Sequence, residues 1–184
     1  MNSMSRNLIV LTFLFLPAFA VAQTPVAEPE FSNTIHFITK DNKSLNLELQ
    51  APQTKVSSSA SQYIVGIGKT KAMYMVKGEK SEVRIPRSDT LKFIVRVADH
   101  NENPFQIISI ARLKSNPKKH TRYLDVAEVG AFKGSSTVDI DRINFKAVKY
   151  GNYSYLVTIP SLEQGEYAIA LRDDPATWQL FGID

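Results

Sequence analysis

Side chains able to do chemistry are sparse in this sequence, and their spacing assembles few recognisable sets. The three histidines, His36, His100 and His120, do not share the i, i+2 or i, i+4 spacing of a metal-ligand pair. Asp139 and Asp141 would share a face on a strand. With Asp173, Asp174 and Asp184 they could offer oxygen ligands to Ca²⁺ or a glycosidase acid pair. Ca²⁺ loops carry denser Asp/Asn/Gly clusters, so solvated turns are the expectation, with no metal and no other cofactor. No G-x-S-x-G elbow occurs. Gly66-Ile67-Gly68-Lys69-Thr70 ends in G-K-T but lacks the first glycine of a phosphate loop, and reads as a chance match. Cysteine is absent, which removes thiolate nucleophiles, thiolate zinc sites and disulfides. No catalytic residue is assigned.

The aromatic residues offer a different chemistry. Tyr150, Tyr153 and Trp178 lie near turn signals and are the candidates for an exposed binding surface, such as a flat platform for a sugar ring. Most other tyrosines fall at alternating positions, as core or cross-strand partners do. Leu162, Gly165 and Tyr167 are spaced L-x-x-G-x-Y, the pattern of a corner in a β-sandwich. There a tyrosine at the start of a late strand turns its hydroxyl onto the backbone just upstream. Burying the ring is favourable only if that O–H finds an acceptor. Gly165 is expected to allow a positive φ in the turn.

These residues must be held by short strands. Residues 34–39 and 44–49 alternate about the polar turn Lys40-Asp41-Asn42-Lys43, a hairpin signal that puts Leu45, Leu47 and Leu49 on one face. Leu91, Phe93, Val95 and Val97 form the cleanest alternating strand, with Lys92 and Arg96 on its other side. Residues 122–129 alternate ambiguously. Tyr167, Ile169 and Leu171 alternate with Glu166, Ala168 and Ala170, as on a half-buried strand. About ten or eleven short strands with regular turn signals point to an all-β fold. The corner favours an antiparallel, Greek-key-like β-sandwich. The best helical window, 126–132, is short.

The chain divides simply. Arg6, the apolar run 8–21 and small residues ending at Ala22 have the order of a secretory signal peptide, expected at 1–22. That run is short for a membrane span, so no stable span is expected after cleavage. Residues 23–31 read as a flexible leader, and 32–184 as a single β-sandwich domain. The formal net charge is +4. Basic residues are scattered, apart from Lys118-Lys119-His120-Thr121-Arg122, so no stripe for nucleic acid is formed.

Met75-x-x-Gly78-x-x-Ser81-x-x-Arg84-Ile85, Phe93-x-Val95-Arg96-Val97, Leu162-x-x-Gly165-Glu166-Tyr167-Ala168 and Phe181-Gly182-Ile183-Asp184 together resemble a group of uncharacterised secreted bacterial proteins. Those proteins are β-sandwiches ending in a G-E-Y-A strand and an F-G-I/V-D tail. The resemblance spans most of the chain after residue 22. It implies an exported bacterial β domain, periplasmic or secreted, and brings no activity with it. The expected function is therefore non-enzymatic binding of a protein or cell-envelope component. A carbohydrate-binding module, and a hydrolase using Asp139, Asp141 or Asp173, are the alternatives.

Overall fold

The computed structural model describes residues 25–58, 69–130, 142–172 and 174–184. The segment expected as a signal peptide, residues 63–67, Asp139, Asp141 and Asp173 lie outside them. The chain runs β1 (Ile35–Ile38), β2 (Ser44–Asn46), β3 (Glu48–Gln50), β4 (Gln53–Ser58), β5 (Lys69–Lys77), β6 (Arg84–Ile85) and β7 (Thr90–Arg96). After the one-turn helix α1 (Pro104–Ile107) come β8 (Ile108–Asn116), β9 (Thr121–Gly130), β10 (Lys146–Tyr150), β11 (Ser154–Pro160), β12 (Gly165–Leu171) and β13 (Asp174–Ile183). The fold is all-β and sandwich-like, as the strand pattern predicts.

A five-stranded sheet has the order β10-β11-β7-β1-β2, and an eight-stranded sheet the order β3-β13-β12-β8-β9-β5-β4, with β6 added to β13. All pairings are antiparallel except the short β6–β13 one. Between the sheets lies the main core. Leu91, Phe93 and Val95 of β7 face Ile169, Leu171, Phe181 and Ile183 there. Each such side chain contributes about 1.5–3 kcal/mol by leaving water. Phe93 lies 5.4 Å from Phe37 and 5.3 Å from Phe181, and Phe181 stacks on Tyr167 at 5.4 Å. This chain of rings joins the two sheets. Tyr167 is buried, and its hydroxyl donates to the Glu163 carbonyl at 2.8 Å.

The eight-stranded sheet curls into a half-barrel. Its first and last strands, β3 and β4, are successive pieces of one stretch separated only by Ala51 and Pro52. That stretch first pairs with β1 through β2, then with β13 through β3, then with β5 through β4. At the bend the carboxamide of Gln50 substitutes for backbone. Its Nε2 donates to the Lys77 carbonyl at 3.0 Å, and its Oε1 accepts from the Lys77 amide at 2.8 Å. The curl encloses a second core of Val76, Leu113, Ala168, Trp178 and Leu180.

This curl corrects several expectations. β12 is buried on both faces, not one, because its Tyr167 side meets the other sheet and its Ala168 side lines the curl. The three leucines do not share a buried face. Leu47 is buried where the chain leaves one sheet for the other, while Leu45 and Leu49 are exposed. The ambiguity of residues 122–129 has its origin in a bulge. The β5–β9 register steps from Met73 opposite Asp125 to Ala72 opposite Ala127, which leaves Val126 over. That same window is strand, not helix. Gly165 does not take a positive φ; among the described glycines Gly78 and Gly151 do. What Gly165 provides is room: a Cβ there would meet Arg112 Nε at 3.1 Å. Arg112 uses that room to bond Glu163 and the Gln164 carbonyl, at 2.8 and 2.9 Å.

Tyr167→Phe removes the corner bond and leaves the ring stack in place. We expect a loss of about 1 kcal/mol or more, measured by urea unfolding, with the far-ultraviolet circular dichroism spectrum unchanged.

Candidate functional site

Where the core of the curled sheet ends, the interior turns polar. Arg122, the last residue of the basic cluster 118–122, is completely buried. It shares strand parity with Leu124, and that parity points it inward. Its Nη2 lies 2.7 Å from Glu48 Oε1, and its Nη1 3.6 Å from Glu166 Oε2. Its remaining donors go to the Gly78 and Lys77 carbonyls at 3.1 and 2.8 Å. Burial alone would raise the Glu48 carboxyl. Hydrogen bonds from Arg122, Ser81 and Gln50 outweigh that and hold it below the ordinary value of 4.5.

Glu166 links this pair to a second guanidinium. Arg84 Nη1 lies 2.6 Å from Glu166 Oε1, and Arg84 Nη2 lies 2.6 Å from Asp184 Oδ1. Hydrogen bonding to Asp184 raises the Arg84 pKa, and Arg84 in turn lowers that of Asp184. A Cβ on residue 182 would fall 1.7 Å from Arg84 Nη1. Glycine in the F-G-I-D tail is thus what lets the guanidinium lie against the strand.

Arg84 also lines a groove of about 680 Å³, within the range of small-ligand sites of about 300–1,000 Å³. Pro25, Val26, Ile38, Leu45, Tyr150 and Leu156 supply its apolar lining. Lys40 and Lys92 also line it, and among the described residues no aspartate or glutamate does. Ile38 and Lys92 are direct cross-strand partners on the outward face of the five-stranded sheet. Leu156 shares that face through its pairing with Ile94.

One wall is the segment expected to be a flexible leader. From residue 25 it is tied down instead, because it carries a carboxylate that the β10–β11 turn can satisfy. Glu28 accepts from the Asn152 and Tyr153 amides at 2.8 and 3.0 Å, and from Ser154 Oγ at 2.6 Å. Gly151, at φ 58°, leaves the space; a Cβ there would lie 2.0 Å from Glu28 Oε1. Burial would raise the Glu28 carboxyl, but these bonds and the charge of Arg96 hold it low. Arg96 also donates to the Pro29 carbonyl at 2.8 Å.

The three aromatic candidates are not brought together. Tyr150 stands on the groove wall with its hydroxyl donated to the Val26 carbonyl. Tyr153 is exposed on the neighbouring turn, with the Arg96 guanidinium 4.8 Å from its ring centroid. Trp178 belongs to the other sheet and is only 6% exposed. It sits inside the curl with Tyr74 edge-on at 5.6 Å, so it is a core residue in place of a platform. Among the described residues no group of three His, Asp or Glu could hold a metal, and no helix is long and apolar enough to cross a membrane. Lys69 and Thr70 open β5, so no helix follows the G-K-T triplet as a phosphate loop requires. Glu28, Ile38, Glu48, Arg84, Lys92 and Arg122 went unmarked in the sequence as site residues.

Two outcomes follow from these charges. Arg122→Met leaves Glu48 and part of Glu166 buried without a partner and should cost about 3–5 kcal/mol. Adding Glu48→Gln to it should recover part of the loss, a coupling that a denaturation double-mutant cycle measures. Glu28 and Glu48 have folded pKa values below the ordinary 4.5. Their contribution is therefore complete above that value and is lost as pH falls through the lowered folded values. Melting temperature should drop across that acid window, and Glu28→Gln should flatten part of the drop.

No protein-family model matches the sequence and no curated protein matches it either, so the site is interpreted from its own residues.

Proposed function

We propose that this chain is an exported, non-catalytic binding protein that takes a cell-envelope component in the groove over its five-stranded sheet. The observation that supports it most is the groove itself, with its apolar lining and a wall pinned by Glu28. A preformed cleft loses little conformational freedom on binding, so its contacts translate into affinity. Export to the periplasm or beyond is inferred from the order of charges and apolar residues over 1–22. The absence of cysteine is compatible with either compartment. A sugar platform built on Tyr150, Tyr153 and Trp178 has less support, since Trp178 is enclosed in the curl. The hydrolase alternative rests on Asp139, Asp141 and Asp173, all outside the described residues.

Nuclear magnetic resonance titration of the secreted chain with separated lipid, glycan and protein fractions of an envelope tests this. Amide shifts should centre on Ile38, Lys92 and Leu156 and vanish in Leu156→Asp. Shifts confined to other surfaces, or turnover of an envelope substrate by the pure protein, would reject it.

A further inference from the structure

We infer that the ligand of this groove is a single-chain amphiphile ending in a phosphate group. This rests on the groove being the binding site, and it adds the ligand's chemistry. Among the described residues three cations line the groove: Lys40, Arg84 and Lys92. Arg84 is already neutralised by Glu166 and Asp184. Lys40 and Lys92 are exposed, and neither side-chain ammonium has an ion pair or hydrogen bond among the described residues. Lys92 stands opposite Ile38 at one end of β1, and Lys40 follows Ile38 by two residues at the turn. Two uncompensated ammonium groups therefore stand at the same end of the sheet, with no carboxylate among the described lining residues to oppose an anion. A phosphate carries more charge than a carboxylate and offers several acceptor oxygens, so it can satisfy both lysines together.

The other end of the groove is built for carbon. Tyr150 has committed its hydroxyl to the Val26 carbonyl, so both residues present mainly apolar surface. Leu156 is half-buried between that wall and Lys92. The register from Lys92 to Arg96, which faces the Tyr150 end, is four residues, or about 13 Å at strand rise. A medium alkyl chain laid along the strands spans that length, with its head at the lysines and its tail against Val26 and Tyr150. Free phosphate would forgo the apolar contacts, and a neutral chain would forgo the two charges.

Calorimetry with decyl phosphate, kept below its micelle concentration, tests the assignment. Inorganic phosphate, decanol and decyltrimethylammonium serve as separate titrants, and anionic phospholipid vesicles are tested by co-sedimentation. Saturable binding of decyl phosphate is expected, weakened about tenfold or more by Lys40→Glu and by Lys92→Glu. Inorganic phosphate should bind at least about a hundredfold more weakly. Both lysines are exposed, so an unchanged melting temperature will certify that each variant is folded. Failure of decyl phosphate to bind, equal affinity for decyltrimethylammonium, or undiminished binding in the Lys40→Glu/Lys92→Glu double variant overturns the proposal. Sedimentation with vesicles but no binding of the monomer overturns it in favour of a membrane surface. Leu156→Asp separates the two claims. If it abolishes binding of an uncharged envelope ligand that the lysine variants still take, the groove stands and the phosphate head is wrong. If it leaves decyl phosphate bound at full affinity, the groove itself is wrong.

Discussion

A guanidinium withdrawn wholly from water dictates its own surroundings. Arg122 could be buried only where carboxylates and carbonyls converge, because an unpaired charge in so dry a place costs several kcal/mol. Glu48 of β3, Glu166 of β12 and the carbonyls of Lys77 and Gly78 at the end of β5 meet that demand together. One side chain of β9 thus fixes strands from across the curl. Apolar residues of similar volume in place of the whole ionic cluster, arginine and carboxylates together, could fill the space about as stably, but they would not single out this arrangement of strands. The ionic arrangement is satisfied only when β3 lies where Glu48 can reach inward.

The same network extends outward. Glu166 is shared between Arg122 and Arg84, and Arg84 reaches both Asp184 and the groove. The groove's other wall is set by a separate device, the Glu28 carboxylate seated against Gly151. Each wall is therefore anchored by charge, while the surface between them combines apolar side chains, the polar Thr39, Asn42, Ser88 and Thr90, and two lysines. Fixed walls around an unsatisfied interior separate this face of the sandwich from the rest of the surface.

Alternation made the main core legible. Leu91, Phe93 and Val95 announce their face without ambiguity, and the structure buries all three. The L-x-x-G-x-Y spacing located Tyr167 because a buried phenol must find a nearby acceptor, and Glu163 provides it. What escaped was whatever depends on the sheet folding over itself. A two-sided burial like that of β12 cannot be told from alternation, which presumes one wet face. Trp178 beside a turn looked exposed because the curl that encloses it is made by strands far away in sequence. Arg122 hid in a run of charges, and Glu28 in a stretch without periodicity, since neither ion pairs nor carboxylate cradles leave a periodic signal.

The stretch from β2 to β4 hems both sheets in turn, and its middle portion pairs with β13. Every strand that β13 joins precedes it in the chain. As the polypeptide emerges amino-terminus first, the five-stranded sheet has all its members once β11 is out. The curled sheet must wait for Trp178–Leu180 to reach Glu48–Gln50. Without β13 the curl lacks Trp178 and Leu180, two of its buried apolar residues. Strand order thus separates a sheet whose described members are all present by β11 from a curl that needs β13.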